Sequence, residues 1–126
     1  MTEAELIAAA SALAGEFRTG DDCVAGGVAA ALLSRSGRVY TGACVDTACS
    51  LGFCAEHAAV AEMLKARESE IALVVAVSAT AGIVAPCGRC RELMWQLNPA
   101  NRAVRVILGP GRVVTLAALL PEPWRG

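Results

Sequence analysis

The sequence predicts an α/β fold in which helices cover the faces of a mixed sheet. Stretches with the period of an α-helix alternate with short apolar runs typical of strands, in the order α-β-β-α-β-α-β-β-α. Apolar residues make up 56% of the 126 residues, which is enough for one packed core. We therefore expect a single domain over residues 1–126, with five strands and without a linker or an internal repeat.

The first half of the chain predicts a helix followed by a β-hairpin. Thr2 and Glu5 have the spacing of a capping box, so the helix is expected to run from about residue 3 to 17. Its apolar side chains recur at helical spacing: Leu6, Ala9, Ala10, Leu13, Ala14 and Phe17. The apolar runs 28–33 and 38–45 are separated by polar residues and Gly37, which predicts two antiparallel strands joined by a turn.

The second half predicts two longer helices around a buried strand. Residues 53–66 have helical character, and Lys65 lies at the C-terminal end, where the helix dipole favours a cation. Residues 71–77 are apolar without interruption, as in a strand buried on both faces. A helix over 87–97 is expected to end before Pro99, since proline disfavours helix in the residue before it. The last elements are strands over 104–108 and 112–114 and a short helix over 115–120 capped by Thr115.

Charge and hydropathy exclude several classes of partner. The formal net charge is −1, with 11 basic and 12 acidic residues in no run of like charge, so a polymeric nucleic acid is not an expected partner. The N-terminal segment carries Glu3, Glu5 and Glu16 and lacks a basic start, which does not fit a signal peptide. No apolar run is long enough to span a membrane. We expect a cytoplasmic protein.

Three of the six cysteines have the spacing of a metal site. Cys54-Ala55-Glu56 begins one predicted helix, and Pro86-Cys87-Gly88-Arg89-Cys90 begins another. Three thiolates provide three ligands for a tetrahedral Zn²⁺ and leave the fourth position for water, with the carboxylate of Glu56 beside it. Helix N-termini are expected to lower the pKa of these thiols. The other cysteines, Cys23, Cys44 and Cys49, are expected to be reduced thiols rather than disulfides.

Two alternatives to a catalytic zinc site stay open. A single Cys-x-x-Cys pair also occurs as a redox pair, and a structural zinc site would use four protein ligands, with His57 or Cys49 as the fourth. Three thiolates give zinc a net negative charge, which weakens it as a Lewis acid unless nearby donors draw charge off the sulfurs. His57 and Arg91 each follow a site residue directly and are candidates for that role.

These motifs resemble the cytidine deaminase family, and the resemblance covers nearly the whole chain. Residues 28–33 before Gly37 are similar to the family's first strand, Thr41-Gly42 to the end of its second, and Leu119-Leu120-Pro121 to its C-terminal turn. Within the family, the zinc loop 83–91 and the tail ending in Trp124-Arg125-Gly126 resemble the small blasticidin S deaminases.

The resemblance implies a three-layer α-β-α sandwich with a mixed five-stranded sheet and a zinc-dependent hydrolase. It also implies deamination of the cytosine ring of cytidine, deoxycytidine or blasticidin S, with Glu56 carrying protons from water to the ring and to the leaving ammonia. The family further implies a homotetramer with shared active sites. The implied substrate contacts are Cys44, Asp46, Ala55 and Trp124, the last of which would reach into a neighbouring subunit.

Four positions depart from the family pattern. Cys44 stands where an Asn is usual, Asp46 where a Glu is usual, Gly26 where an aromatic residue is usual, and His57 where an Arg is usual. A thiol cannot replace the paired donor and acceptor of an amide, so the pocket is expected to be wider and less committed to ribose. Another amino-substituted heterocycle and a non-catalytic nucleoside-binding role stay open, as does the choice between salvage and detoxification.

Overall fold

The computed structural model describes residues 1–125 and confirms an α/β fold built on a mixed sheet. The helices are α1 (Glu3–Leu13), α2 (Ala55–Lys65), α3 (Gly88–Leu97) and α4 (Leu116–Leu119). The strands are β1 (Phe17–Gly20), β2 (Cys23–Ser34), β3 (Val39–Thr47), β4 (Ile71–Ser78), β5 (Gly82–Val84), β6 (Arg105–Gly109) and β7 (Arg112–Thr115). Short 3₁₀ turns lie at Ala48–Ser50 and Pro99–Ala103.

The sheet has seven strands rather than the expected five. Its order is β1-β2-β4-β6-β7, with β3 paired to β2 and β5 paired to β4. The β4–β6 pair is parallel and the other pairs are antiparallel, which makes the sheet mixed. The two strands that the sequence did not predict are β1, four residues long, and β5, three residues long.

Helix α1 ends four residues earlier than its apolar spacing predicts. The capping box of Thr2 and Glu5 is present, but the helix stops at Leu13, and Phe17 pairs with Ala25 of β2. The backbone N–H of Gly15 donates to the carbonyl of Gly26 at 2.8 Å, so the chain already lies against β2 there. Gly26 allows this close approach, because it has φ +83° and a Cβ atom would lie 2.3 Å from the Gly15 oxygen. Strand pairing therefore overrides helical periodicity in this segment.

The two faces of the sheet are covered by different helices, as a three-layer arrangement requires. Leu6 and Ala10 of α1 pack on one face, and α2, α3 and α4 cover the other through Met63, Met94 and Leu116. Side chains of β4 alternate between the two clusters, with Val74 on the α2 side and Val75 on the α1 side. The prediction that residues 71–77 are buried on both faces is confirmed.

Helix α2 packs against β3 at unusually close range, and this contact positions the candidate site. A Cβ atom at Gly42 would lie 2.4 Å from the backbone nitrogen of Ala59 and 2.7 Å from the carbonyl oxygen of Ala55. Only a residue without a side chain fits between strand and helix at this point. The start of α2 is thereby held next to the middle of β3.

No helix in residues 1–125 combines the length and the apolar character that crossing a bilayer requires.

Candidate metal centre and active-site cavity

The three predicted zinc ligands converge where two helices begin. Cys54 is the N-cap residue of α2, Cys87 is the N-cap residue of α3, and Cys90 lies in the first turn of α3. The Sγ atoms of Cys54 and Cys87 are 3.4 Å apart, and those of Cys87 and Cys90 are 3.5 Å apart. The donor atoms of Cys54, His57 and Cys90 all lie within 4.8 Å of one another.

This donor set fits Zn²⁺. Zinc bonds to thiolate sulfur at about 2.3 Å, so a tetrahedral site separates its sulfur atoms by roughly 3.8 Å. The observed separations of 3.4 and 3.5 Å are a few tenths of an ångström shorter, which a small outward rotation of the side chains corrects. Soft thiolate donors select zinc over magnesium or calcium.

His57 lies beside this cluster. Its Nδ1 atom is 3.5 Å from the Sγ of Cys90, close enough for a hydrogen bond to sulfur or for coordination of a shared metal. Partial burial lowers the pKa of the imidazole, and the nearby charge of Arg89 lowers it further. His57 is therefore neutral near pH 7 and has one ring N–H to donate.

Glu56 is a buried carboxyl group that faces the same space. Its side chain is in the first turn of α2, and the residue is only 4% exposed. Burial raises its pKa, while hydrogen bonds from its own backbone N–H and from Cys90 partly oppose that rise. A buried carboxyl group with a raised pKa beside a metal site is suited to moving protons.

The thiol pKa values agree only in part with the sequence prediction. At Cys87, burial raises the pKa, but hydrogen bonds from the backbone N–H groups of Cys90 and Arg89 and from the neighbouring thiols outweigh it and leave the pKa lowered. At Cys54 and Cys90, burial dominates and raises the pKa, so the prediction that the helix N-termini lower all three was wrong for these two. Bound Zn²⁺ would supply the missing stabilisation of their thiolates.

A cavity of about 550 Å³ opens above the cluster. Three of the four expected substrate contacts line it, namely Cys44, Asp46 and Ala55, together with Glu56. The other lining residues are Val28, Val45, Thr47, Ser50, Gly52, Phe53, Cys54, Ala76, Val84, Ala85, Cys87 and Arg89. Cys44 is 8% exposed, and its Sγ accepts a hydrogen bond from the backbone N–H of Val28 at 3.2 Å and lies 3.7 Å from Oδ2 of Asp46.

Sequence reasoning missed two polar groups in the cavity wall. Arg89 lies between the two cysteines of the Cys-x-x-Cys motif, so its position in the motif was a usable signal. The hydroxyl group of Thr47 is buried without a hydrogen-bond partner among the described residues, and no sequence pattern indicated it. Both residues line the cavity.

Arg91 does not contact the thiols as the sequence analysis suggested. Its Nε donates to the carbonyl of Pro86 at 2.8 Å, and one terminal nitrogen donates to the carbonyl of Leu119 at 3.0 Å. Within residues 1–125, every hydrogen bond of its guanidinium goes to a backbone carbonyl. Arg91 therefore acts on the zinc loop through its backbone rather than through sulfur.

Trp124 lies outside the cavity of its own chain. The residue is 75% exposed, the guanidinium of Arg125 lies 5.0 Å from the centre of its ring, and its backbone N–H donates to Glu92. A role in substrate binding would require a second copy of the chain. Gly126 is outside the described residues, so the predicted tail is described only to Arg125.

Comparison with known proteins assigns the family. Residues 2–107 match the family described as the cytidine and deoxycytidylate deaminase zinc-binding region. The chain belongs to this family. A cytidine deaminase from Halalkalibacterium halodurans is 34% identical over 97 residues, which cover 75% of this chain and 74% of that protein. A cytidine deaminase from Sporosarcina psychrophila is 31% identical over 97 residues, covering 75% and 71%.

Solved structures agree over the whole fold. Cytidine deaminase from Mycobacterium tuberculosis superposes with a TM-score of 0.81 at 27% identity and covers 98% of both chains. Cytidine deaminase from Burkholderia pseudomallei has a TM-score of 0.79 at 33% identity, covering 98% of this chain and 100% of that one. Family and fold together identify a zinc-dependent hydrolytic deaminase, and the cluster of Cys54, His57 and Cys90 is able to bind a metal.

Proposed function

We propose that this deaminase acts on the cytosine ring of a nucleoside, with Cys54, Cys87 and Cys90 as the zinc ligands. The observation that carries the proposal is the position of Glu56, which is 4% exposed and faces a 550 Å³ cavity beside three converging thiols. A carboxyl group has no reason to be buried there in a structural zinc site, because burial of an unpaired charge is costly. In a hydrolase, a buried carboxyl group beside the metal can transfer protons during the reaction.

Zn²⁺, when bound, supplies Lewis acidity that brings the pKa of a water molecule to about 7. Glu56 accepts the proton of the attacking water and transfers it to the ring nitrogen next to C4. As the C4–N bond breaks, Glu56 takes the proton of the new C4 hydroxyl group and passes it to the departing amine, so that C4 becomes a carbonyl and the amine leaves as ammonia. One water is consumed, the ring ends in the uracil form, and the carboxylate returns to its starting state.

His57 takes the place of the usual Arg in this proposal. The neutral imidazole lies 3.5 Å from the Cys90 sulfur, so its N–H can donate to the thiolate and draw charge off it without adding a positive charge. A neutral donor withdraws less charge than a guanidinium would. The rival arrangement, in which His57 is a fourth zinc ligand, would close the site to water, and X-ray absorption on the zinc-loaded protein separates the two by ligand count.

The substrate-binding end of the cavity favours a nucleoside whose sugar is not held by a carboxamide. Cys44 offers only a weak donor, and its sulfur is already occupied by the Val28 N–H. Asp46 is exposed at the mouth and provides one carboxylate. Cytidine and deoxycytidine remain substrates in this proposal, and so does an antibiotic with a modified sugar, such as blasticidin S. A different amino-heterocycle, or binding without turnover, is the alternative.

The proposal also includes a homotetramer in which a neighbouring chain completes each site. Phe53 lines the cavity and is 40% exposed, and Leu51 beside it is 78% exposed, so the rim is apolar and uncovered in the single chain. Trp124 of a second copy is a suitable cover, since its indole can stack on a base. Sedimentation of a stable monomer that retains full activity would contradict this arrangement.

The deciding experiment measures ammonia release by zinc-loaded protein from cytidine, deoxycytidine, cytosine and blasticidin S. The Glu56→Gln variant is expected to bind zinc normally and to lose at least about 10³-fold in kcat, because the amide cannot carry a proton. Glu62→Gln is the matched control, since Glu62 lies on the exposed face of the same helix in a 3.5 Å ion pair with Lys65. Equal activity of the two variants would remove Glu56 from the mechanism.

The substrate panel then separates the remaining possibilities. Turnover of blasticidin S alone would support a detoxification role, and turnover of cytidine would mean that residues other than a carboxamide hold the ribose. No turnover of any of the four by zinc-loaded protein would favour another heterocycle or a binding protein.

A further inference from the structure

We propose that Arg91 is a positioning residue that joins the Cys87–Cys90 loop to the C-terminal segment, so that zinc retention depends on the docking of that segment. The proposal requires zinc at the three thiols, but it does not depend on which substrate the enzyme uses. It differs from the role expected from sequence, in which Arg91 would balance the charge of the sulfurs directly.

On one side, Arg91 closes the loop that carries two of the thiols. Its Nε–H donates to the carbonyl of Pro86 at 2.8 Å, and its own backbone N–H donates to the carbonyl of Cys87 at 3.0 Å. Pro86 is buried and directly precedes Cys87, so its carbonyl cannot turn without moving the first ligand of the loop. The guanidinium is a planar fork, which fixes orientation as well as distance.

On the other side, the same guanidinium holds the end of α4. It donates to the carbonyl of Leu119 at 3.0 Å, the last residue of that helix. A four-residue helix leaves its final carbonyls without intrahelical partners, so this hydrogen bond satisfies an otherwise free acceptor. Helix α4 is itself anchored, because Leu116 is fully buried and its N–H donates to the carbonyl of Val104 at 2.8 Å.

The next residue repeats the connection. Glu92 accepts a hydrogen bond from the backbone N–H of Trp124 and another from the side chain of Gln96 at 2.8 Å. Two consecutive residues of α3, immediately after the ligand Cys90, thus hold two points of the C-terminal segment. A displacement of that segment pulls on the turn of α3 that contains the ligand.

Zinc release measures this coupling without requiring a substrate. The rate of zinc transfer to a chromogenic chelator is compared for wild type, Arg91→Met, Arg91→Lys and the control Arg105→Met. Arg105 also makes a 3.0 Å hydrogen-bonded contact, to Glu3, but it lies on the far side of the sheet from the thiols. Loss of groups that support metal ligands typically weakens affinity about 10- to 100-fold, so Arg91→Met is expected to release zinc at least about tenfold faster.

The other variants give the pattern that a positioning role requires. Arg91→Lys keeps the positive charge but loses the planar guanidinium group with its several N–H donors, so its rate of zinc release is expected between those of wild type and Arg91→Met. The rate for Arg105→Met is expected to stay within about twofold of wild type. In Co²⁺-loaded protein, Arg91→Met is expected to shift the thiolate-to-cobalt absorption bands, which report ligand geometry. Release from Arg91→Met at the Arg105→Met rate, or unchanged cobalt bands, would overturn the proposal.

Two further measurements separate positioning from folding. Urea unfolding of the metal-free variants identifies any general loss of stability, and if Arg91→Met does not fold, an unchanged release rate in Arg91→Lys overturns the proposal. Trp124→Pro removes the N–H that donates to Glu92, so it is expected to speed release about threefold in the wild-type background and by more than that in Arg91→Met, where it removes the second of the two connections. The same factor in both backgrounds would contradict coupling through the C-terminal segment.

Discussion

The Gly42→Ala substitution tests whether close packing of α2 on β3 sets the catalytic geometry. The added Cβ would lie 2.4 Å from the Ala59 nitrogen, 2.6 Å from the Ala58 Cβ and 2.7 Å from the Ala55 oxygen. Ordinary contact begins near 3.4 Å, so strand and helix must separate by about 1 Å. Two of these three atoms belong to the helix backbone, so no side-chain rotation can relieve the clash.

The consequences divide into stability and activity. Forced overpacking costs about 1–3 kcal/mol, and the alanine recovers roughly 0.5 kcal/mol by restricting the unfolded chain, so a net loss near 1.5 kcal/mol is expected. For a chain of this size that lowers Tm by about 5–10 °C. Because Cys54 and Glu56 begin the displaced helix, a shift of about 1 Å is expected to reduce kcat roughly 100-fold even well below Tm.

The matched control is Gly109→Ala, since no atom lies within 4 Å of its ideal Cβ position and its φ is not in the left-handed region. Thermal unfolding and ammonia release are measured on zinc-loaded proteins with the metal content determined for each. The reasoning is refuted if Gly42→Ala matches the control in both Tm and kcat. A lowered Tm with full kcat would show that the packing stabilises the fold without setting the site.

Two further predictions concern polar groups distant from the zinc. Asn101 is fully buried; its side chain accepts a hydrogen bond from the N–H of Ile71 at 2.9 Å and donates to the carbonyls of Ser69 and Met94 at 3.0 and 2.9 Å. Asn101→Ala is therefore expected to lower the free energy of unfolding in urea by about 3 kcal/mol. Asn98→Ala, at a half-buried position, is the control, and an equal loss in both variants would contradict the argument. Hydrogen bonds from Ser36, Tyr40 and Ser34 hold the pKa of Glu68 below its ordinary value of 4.5. The stability that this shift gives is complete above that value and is lost as the pH falls through the lower folded-state pKa. Glu68→Gln should therefore flatten the acid limb of the unfolding free energy below the ordinary carboxyl pKa of 4.5, and an unchanged limb would argue against it.

The elements that sequence predicted well are those whose signals are local. The capping box of Thr2 and Glu5, the uninterrupted apolar run of β4 and the thiol spacing around Cys87 each depend on neighbours a few residues away. The missed strand β1 depends instead on pairing with Ala25 and on the close approach of the chain at Gly26, which no local pattern reveals. Strand β5 has only three residues, too few for an alternating pattern to be recognised.

The site shows the same division. The convergence of Cys54, Glu56, Cys87 and Cys90 could be predicted because their spacing in the sequence indicates a shared site. The partner of Arg91 could not, since Leu119 follows it by 28 positions and offers only a backbone carbonyl. The direction of the thiol pKa shifts could not be predicted from the sequence either, because the degree of burial decides whether desolvation or the helix end dominates.

The N-termini of α2 and α3 lie next to each other, and this has a consequence for the unfolded chain. Cys54 and Cys87 are 33 positions apart, and a metal bound to both closes the intervening segment, which contains α2, β4 and β5, into a loop. In the chain-entropy description, a permanent link across a segment of this length restricts the unfolded ensemble by about 3–4 kcal/mol. The ion that serves the chemistry would also serve as a removable cross-link, comparable to a disulfide but governed by metal supply rather than by redox potential.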